Sequence, residues 1–529
     1  MPSSAPTAEP EIPAAAPSAA PSAAPGGKGQ NLKFILGLKL SQLRRENKFP
    51  LKRLASLSGL SVSYLNEIEK GKKYPKPEKI FALAEALGVT YEELVSLNLG
   101  ANMTSLEKML KTGALQNFPF EIFGVSSSGL MEMMSGAPDR FSALIDTIQK
   151  IIRRYDMRVE HLLLTAMRSY LEMNNNYFPD LEKAAEKFRK DHKWLRNAGA
   201  HRADLVAKLE QFLVQEHGYE IDETTLGREA DLRGQRSIFV AGTKRRLLLN
   251  PALEPMQRAF VLAREIGYRY LHLEARMATA SPDETATFDQ HLNHQRASYF
   301  AGALLLDQSL ICDAIAPFLA RKKWEPEALR ELPVRFGATP EMFFHRLSQL
   351  LPRFFDLGQM YFLRFEHYAD TGRFRPAKEL HFTRMHSTHS IGVNEHYCRR
   401  WVTMRLLEEL AHSPKHPTGD VPLLVGAQRS KFPGTDNEYF SLSMATSSGL
   451  RGGVNACVTL GFAMTDTFKD KVRFWADPSI PDKLVGDTCE RCAITDCEVR
   501  ASEPRILQRD AERKRQNQAL RDLIERIRT

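Results

Sequence analysis

The chain has 529 residues, 43% hydrophobic and 26% charged, with a formal net charge of +9; this predicts three or four packed domains and excludes a natively disordered chain. Six cysteines are too few for a secreted disulfide framework and point instead to thiols or a metal site. There is no basic start followed by an apolar run, and no stretch with the length and freedom from charge of a membrane span, so a cytoplasmic protein with no membrane partner is expected.

Residues 1–30, rich in Pro, Ala and Ser without an apolar period, predict a disordered leader. Residues 31–99 predict an all-α module of five helices. Leu36, Leu40 and Leu43 give the first helix one apolar face, ending near Glu46. Leu54 and Ala55 begin a short second helix, Gly59 turns the chain, and Val62, Leu65 and Ile68 set the third against the core. Ser61 is the expected cap of that third helix. Ser63, Tyr64 and Asn66 are then left outward, with lengths and donors suited to base edges and phosphates. Gly71 closes it, and Lys70, Lys72 and Lys73 form a basic loop at its exit. Pro77 fits the first turn of a fourth helix bearing Ile80, Leu83, Ala84 and Leu87, and a last short helix runs from Thr90 to Leu97. Residues 31–80 hold twelve Lys or Arg against four Glu, a local +8. This suits attraction to a phosphate backbone, although a solvated lysine-rich face carries the same charge. The stretch resembles the lambda-repressor-like helix-turn-helix domains of the XRE group, which implies binding to a double-stranded DNA operator.

Residues 100–225 are expected to be chiefly helical. Leu106, Met109 and Leu110, then Ile145, Ile148, Ile151 and Ile152, then Leu163, Met167 and Tyr170 recur at helical spacings, with a break at Asn174, Asn175 and Asn176. Phe120, Phe123, Met131 and Met133 could line a ligand or dimer contact, but ordinary packing is the plainer reading.

In residues 226–352, Ser237 to Ala241 and Arg246 to Asn250 predict two strands joined through Gly242 and Thr243, followed by a helix from Pro255 through Leu273. This order resembles the ImmA/IrrE-like domain, whose metallopeptidase members carry a His-Glu-x-x-His zinc helix. The matching window is Arg264, Glu265, Ile266, Gly267 and Tyr268, so neither position that the family fills with a metal-binding His holds one. His294, Gln295 and Arg296 lie near the place of the family's third, acidic ligand, and none is a Glu. Glu265 without a metal-bound water has nothing to activate, so no catalytic residue is assigned and a noncatalytic scaffold is expected. His272, one turn beyond, is the remaining substitute.

Residues 353–505 predict an α+β sensory domain, which makes the whole chain a multidomain α+β protein. Met360 to Phe365, Leu380 to Met385, Val421 to Gly426, Tyr439 to Met444, Val454 to Phe462 and Val472 to Trp475 are candidate strands, with a helix from Glu395 to Leu410 across them. Arg399 and Arg400 could hold an anionic headgroup with Trp401 against an apolar tail, or be a helix surface paired to Glu408 and Glu409. Cys489 and Cys492 followed by Cys497 give C-x2-C-x4-C, and Cys457 lies in an earlier candidate strand. Four such thiolates suit structural Zn or an iron-sulfur cluster, with free thiols as the alternative; the short spacing and the lack of a second knuckle tilt toward iron-sulfur. His396 and Cys398 are the replacement ligands if Cys457 points elsewhere. Residues 506–529 predict a charged helix with Leu520, Leu523, Ile524 and Ile527 as a narrow face.

The order of these parts over residues 31–505, with Tyr397 to Trp401, Cys457 and the three-Cys motif as its more specific marks, resembles the XRE regulators of short-chain fatty-acyl, acetate, propionate and glyoxylate metabolism, the RamB-like group. The resemblance implies control of central-carbon genes, with an acyl-CoA-type metabolite as effector. A homodimer placing its two Ser61-to-Glu69 helices in successive major grooves is the expected DNA-binding form. The competing expectations are a phage-type repressor or antitoxin with a protein partner and a structural zinc, a nucleoid protein that does not discriminate sequence, and a DNA-responsive peptidase.

Overall fold

The computed structural model describes residues 27–71, 73–96, 147, 159–195, 202–279, 287–382, 395–413, 422–447 and 453–528. The chain divides into two compact units, residues 1–158 and 159–529.

Among the described residues the first unit has a run of five helices near its start: α1 (Gly27–Glu46), α2 (Leu51–Ser58), α3 (Val62–Glu69), α4 (Pro77–Leu87) and α5 (Tyr91–Val95). Leu36, Leu40, Leu54, Leu65, Ile68, Ile80, Leu83, Leu87 and Leu94 close its core. Gly59 and Gly88 end α2 and α4 in the left-handed conformation, φ 68° and 72°, where a side chain would be strained. Three expectations shift. Helix α1 starts inside the expected leader, at Gly27. Helix α2 starts at Leu51, because Pro50 sits extended at the cap position and its carbonyl already accepts from Arg53 and Leu54. Val62 is 40% exposed rather than core, since the Ser61 cap turns the first residue of α3 outward.

The second unit opens with α6 (Val159–Met173), α7 (Pro179–Asp191) and α8 (Arg202–His217). Leu163 and Met167 are buried, and α6 stops at Met173 because Asn175 and Asn176 take positive φ, 49° and 50°. The other apolar positions read between Leu106 and Ile152 lie outside the described residues. Next comes a three-stranded sheet, β1 (Tyr219–Asp222), β2 (Ser237–Val240) and β3 (Arg245–Leu249), in order β1-β3-β2. The β2–β3 hairpin follows the sequence pattern, whereas β1, only four residues long, gave no recognisable period. Helix α9 (Pro255–Tyr270) then packs on α8 and on α10 (Phe288–Leu305). A Cβ on Gly267 would meet the Ala297 carbonyl oxygen at 3.1 Å, so the glycine sets how closely α9 and α10 approach. Helices α11 (Gln308–Leu319), α12 (Pro326–Arg335) and α13 (Pro340–Phe354) complete this half.

Helix α13 leads into a six-stranded sheet of order β5-β4-β8-β7-β6-β9, where β4 is Met360–Tyr368, β5 Arg373–His381, β6 Leu424–Lys431, β7 Glu438–Ser447, β8 Val454–Ala463 and β9 Asp482–Leu484. All neighbours are antiparallel except β6 and β9. Side chains alternate across a strand: on β4, Phe362 meets His345 of α13, while Leu363 and Phe365 pack on the opposite face under α14 (Val402–His412). The sheet is thus sandwiched between two helices. The expected strand at Val472 to Trp475 is a short 3-10 turn, Arg473–Ala476, following α15 (Asp466–Lys471), because Phe474 is drawn between Phe318, Trp324 and Phe440. The last helix, α16 (Arg505–Arg528), buries no residue. Among the described residues no single helix is long and apolar enough to cross a membrane.

Candidate functional site

In the first unit, the Ser61 hydroxyl accepts the Tyr64 amide at 3.2 Å and caps α3. The Arg44 guanidinium grips both carboxylate oxygens of Glu69 at 2.6 and 3.0 Å and so fastens α3 to α1. Gly37 of α1 lies beneath α3, where an added Cβ would stand 2.3 Å from the Ile68 carbonyl oxygen. Lys39, buried, donates to the Glu93 carbonyl and the Ser96 hydroxyl and ties α1 to α5. Held in this way, α3 presents Ser63 exposed and Tyr64 and Asn66 partly exposed. Tyr64 lies between two lysines, Lys79 at 4.3 Å and Lys73 at 5.7 Å from its ring centre. Lys73 also pairs with Glu67 at 2.8 Å, which raises its pKa and partly neutralises it. Lys70 is the C-cap of α3, and Lys72 lies outside the described residues. Lys79 was not singled out in the sequence; its place in the first turn of α4, one element beyond the reading helix, concealed it.

In the IrrE-like half, Arg264 and Tyr268 occupy one face of α9, an i, i+4 pair. Glu265 is 1% exposed and bound to Arg276 at 2.8 Å, with the Tyr219 hydroxyl donating to it at 3.1 Å. Arg276 in turn stacks on Phe239 and Tyr268. The carboxylate is therefore a closed structural ion pair. Burial pushes the Tyr219 and Tyr268 hydroxyls up to about 12, so both are neutral donors at neutral pH. The Tyr268 hydroxyl lies 3.1 Å from His294 Nδ1. His272 is exposed, in the left-handed conformation just past the helix end, and is not brought onto this face. A cleft of about 1070 Å³, its mouth included, opens beside Arg264, His294 and Gln295.

In the C-terminal lobe the structure revises the expected cysteine set. Cys457 sits in the middle of β8, opposite Phe365 and Ala445, fully buried under α14. Its polar neighbours are Ser443, Met444 and Thr459, and burial pushes its thiol up to about 12. A strand-centre residue points into the sheet's own core, so the strand pattern that made Cys457 legible also removes it from the motif. The thiol that faces Cys489 and Cys492 is Cys398, pushed up to about 11 by burial. Cys398 Sγ accepts the Gly486 amide at 3.4 Å, and Cys489 Sγ accepts the Ala501 amide at 3.3 Å. A Cβ on Gly486 would lie 3.0 Å from Cys492 Sγ, so any larger residue would crowd that thiol and push it aside. Arg500 bonds the carbonyls of Cys489, Cys492 and Ile494, and Arg400 faces Cys497. His396, the other substitute, is taken by Glu490 at 2.8 Å. Among the described residues no three His, Cys, Asp or Glu side chains are drawn tightly enough together to hold a metal ion.

The segment from Glu395 to Trp401, expected as helix, is non-helical, with Trp401 the N-cap of α14. Arg399 stacks on Phe374 at 4.0 Å and Arg400 donates to the Leu484 and Asp496 carbonyls. Trp401, expected against the apolar tail, lines a cavity of about 520 Å³ with its mouth included, together with Tyr361, His381, Gln428, Ser441 and Val485, and neither Arg399 nor Arg400, expected at the headgroup, is among its lining residues. The Trp401 indole donates to the Gly486 carbonyl at 3.0 Å, so the cavity wall and the cysteine cradle share one peptide.

A capped α3 on a clamped five-helix scaffold defines a DNA-binding protein of the helix-turn-helix class. Comparison with known proteins agrees: the helix-turn-helix family model matches residues 40–94, and the model of the IrrE N-terminal-like domain matches residues 215–348. Among curated proteins, the chain is 23% identical over 338 residues to the HTH-type transcriptional regulator RamB of Mycobacterium tuberculosis, and 24% identical over 335 residues to the propionyl-CoA carboxylase regulator of Cereibacter sphaeroides. Each match spans 60% of this chain and 65% of the relative's length. An uncharacterised HTH-type transcriptional regulator of Sinorhizobium fredii is 33% identical over 66 residues, 12% of this chain and 86% of the relative. A solved Mycobacterium tuberculosis transcriptional regulator aligns at 22% identity and a TM-score of 0.42, covering 63% of this chain and 92% of that one. The chain belongs to the XRE-type HTH transcriptional regulators and joins that DNA-binding domain to an IrrE-like domain.

Proposed function

We propose that this regulator acts on central-carbon genes as a homodimer, reading a palindromic operator with α3 of each subunit, under the control of a metabolite and of a centre held by cysteines in its C-terminal lobe. The observation that carries the DNA reading is the capped α3, with Ser63, Tyr64 and Asn66 accessible and lysines on both sides of Tyr64. The names of two relatives, RamB and the propionyl-CoA carboxylase regulator, support the assignment to carbon metabolism. The protein is not a peptidase in this reading, because Arg264 and Tyr268 replace metal ligands and Arg276 occupies Glu265.

Cys398, Cys489, Cys492 and Cys497 are the proposed ligands, and the site's chemistry fits a soft metal. It combines four thiols, two backbone amides aimed at sulfur, a glycine that makes room, and arginines that offset thiolate charge. Binding would require the Cys398 proton to leave and the four thiols to close up. A bound Zn would fasten the lobe, whereas an iron-sulfur cluster would also respond to oxidants. The Trp401 to Gly486 bond gives either of them a direct route to the neighbouring cavity, whose walls would have to part to seat the acyl part of an acyl-CoA-type effector.

The test is iron, acid-labile sulfide and zinc analysis of anaerobically purified full-length protein, followed by operator titration of the loaded and stripped forms with and without a short acyl-CoA. Iron with matching sulfide supports cluster control, and one Zn per chain a structural centre. Operator affinity that is unchanged across all these forms sinks the switch, and equal affinity for operator and scrambled duplex sinks specific DNA reading.

A further inference from the structure

The cleft beside α9 lies where a catalytic metal would stand in a peptidase of this fold, and its lining is unusual for a protein interior. Arg236, Arg264, Arg346 and Lys378 face it against a single lining carboxylate, Glu341. Two of these cations are accounted for. Arg346 is held by both oxygens of Glu182, and Arg236 pairs with Glu341, which also serves Arg364. Arg264 is different. It is 5% exposed, its terminal nitrogen donates to the Ser237 hydroxyl, and its Nε has no partner; among the described residues no carboxylate forms an ion pair with it. The nearest favourable carboxylate, Glu265, is committed to Arg276; a buried guanidinium without a contact ion pair is costly, and this one lines a cleft. Gln295 and His345 add two further buried nitrogens without partners, Nε2 in each case, on the same lining. Lys378 also lacks an ion pair within contact distance, its ammonium lying 5.9 Å over the Phe362 ring, and its pKa is lowered to about 8 by burial and the neighbouring arginines. Unused donors and unbalanced positive charge converge on one cleft.

We propose that this cleft binds an oxyanion, the phosphate or carboxylate group of a small metabolite, with the Arg264 guanidinium as its main charge partner and Lys378, Gln295 and His345 as flanking donors. Replacing the first metal-ligand position by arginine keeps a positive charge at the former catalytic centre but attaches it to the protein, so the centre recognises an anion rather than activating water. The cleft, about 1070 Å³ with its open mouth included, is larger than a bare phosphate, and the organic part of the ligand would extend toward that mouth. This inference does not depend on the DNA reading or on the cysteine centre; either can fail while the anion site stands.

The experiment titrates full-length protein with inorganic phosphate, pyrophosphate and succinate at constant ionic strength, by calorimetry and by thermal shift. At least one probe is expected to bind saturably in the millimolar range or below, and the phosphates against succinate decide which oxyanion the site prefers. Arg264→Gln is expected to weaken that probe by about tenfold or more, while Arg245→Gln, an exposed control on β3, leaves it unchanged. Should Arg264→Gln not fold, Lys378→Gln and the cleft-filling Ser298→Phe give the same reading without touching α9. No saturable binding of any probe overturns the proposal. So does equal binding by folded variants and wild type, which would mark a general salt effect or the lysines of the DNA-binding unit.

Discussion

The IrrE-like half and the C-terminal lobe are opposite cases of how a cluster of polar side chains is held. On α9, Arg264 and Tyr268 share one face and Glu265 is locked to Arg276, beside a close crossing on α10 at Gly267. Around Gly486 the thiols are present but come from separated pieces of chain, and the backbone between them is shaped to let sulfur atoms approach. Packing and chemistry are therefore separable: a helix pair holds its geometry through backbone contact whatever its polar face carries, while a thiol cradle is defined only by where its loops meet.

The largest effect expected is all-or-none and tests the second case. Cys398→Ser should abolish binding of the metal or cluster, and Cys457→Ser should leave its stoichiometry unchanged; the reverse pattern in metal analysis would return Cys457 to the centre. For the first case, Glu265→Ala should destabilise the second unit by about 3–5 kcal/mol, because Arg276 would stay buried without its partner. In a working metallopeptidase the same change would spare stability and remove cleavage. Urea denaturation with a protease assay separates the two, and a stable Glu265→Ala protein would break the contrast. The DNA-binding unit supplies a region where scaffold and face are both kept. Asn66→Ala should cost about 1–3 kcal/mol on the operator and little on scrambled duplex, whereas Lys79→Ala should weaken both and lower the salt slope by about one. Equal losses on the two duplexes for both variants, read by fluorescence anisotropy, would count against that division. The smallest effect is Ser61→Ala, about 1 kcal/mol of stability from the lost cap, seen as a modest fall in the denaturation midpoint.

How much of this was legible follows from the distance over which each feature is encoded. The five helices and the Ser61 cap lie within one short stretch of chain, and local period, glycine turns and capping chemistry describe them almost completely. The helix from Pro255 was equally plain, since its period and its first-turn proline lie within one short stretch. The sheet was read with slips at its edge. Strand β5 was placed too late because its apolar signal, Leu380 and Phe382, falls at its end, while the Arg373 to Lys378 half alternates exposed and half-buried positions on the sheet's edge and is interrupted by a register shift between the pairs Arg364–Lys378 and Phe365–Pro376. The approach of Cys398 to the Cys489 and Cys492 segment was only half visible: it runs through the Tyr397 to Thr488 bridge and the Asp487 carbonyl, a meeting no spacing rule announces. The unpaired charge of Arg264 could not be read at all, because it depends on the carboxylates that neighbouring elements fail to supply.

Gly37 has a consequence for how such a protein can be re-engineered. It lies on α1 rather than on α3, yet any side chain there would collide with the backbone of α3. Orientation on DNA and choice of sequence are thus written at different addresses in the chain. A library that varies Ser63, Tyr64 and Asn66 can search for new operators without disturbing the angle of approach, while a library that touches Gly37 samples tilted helices and should return mostly proteins that bind nothing.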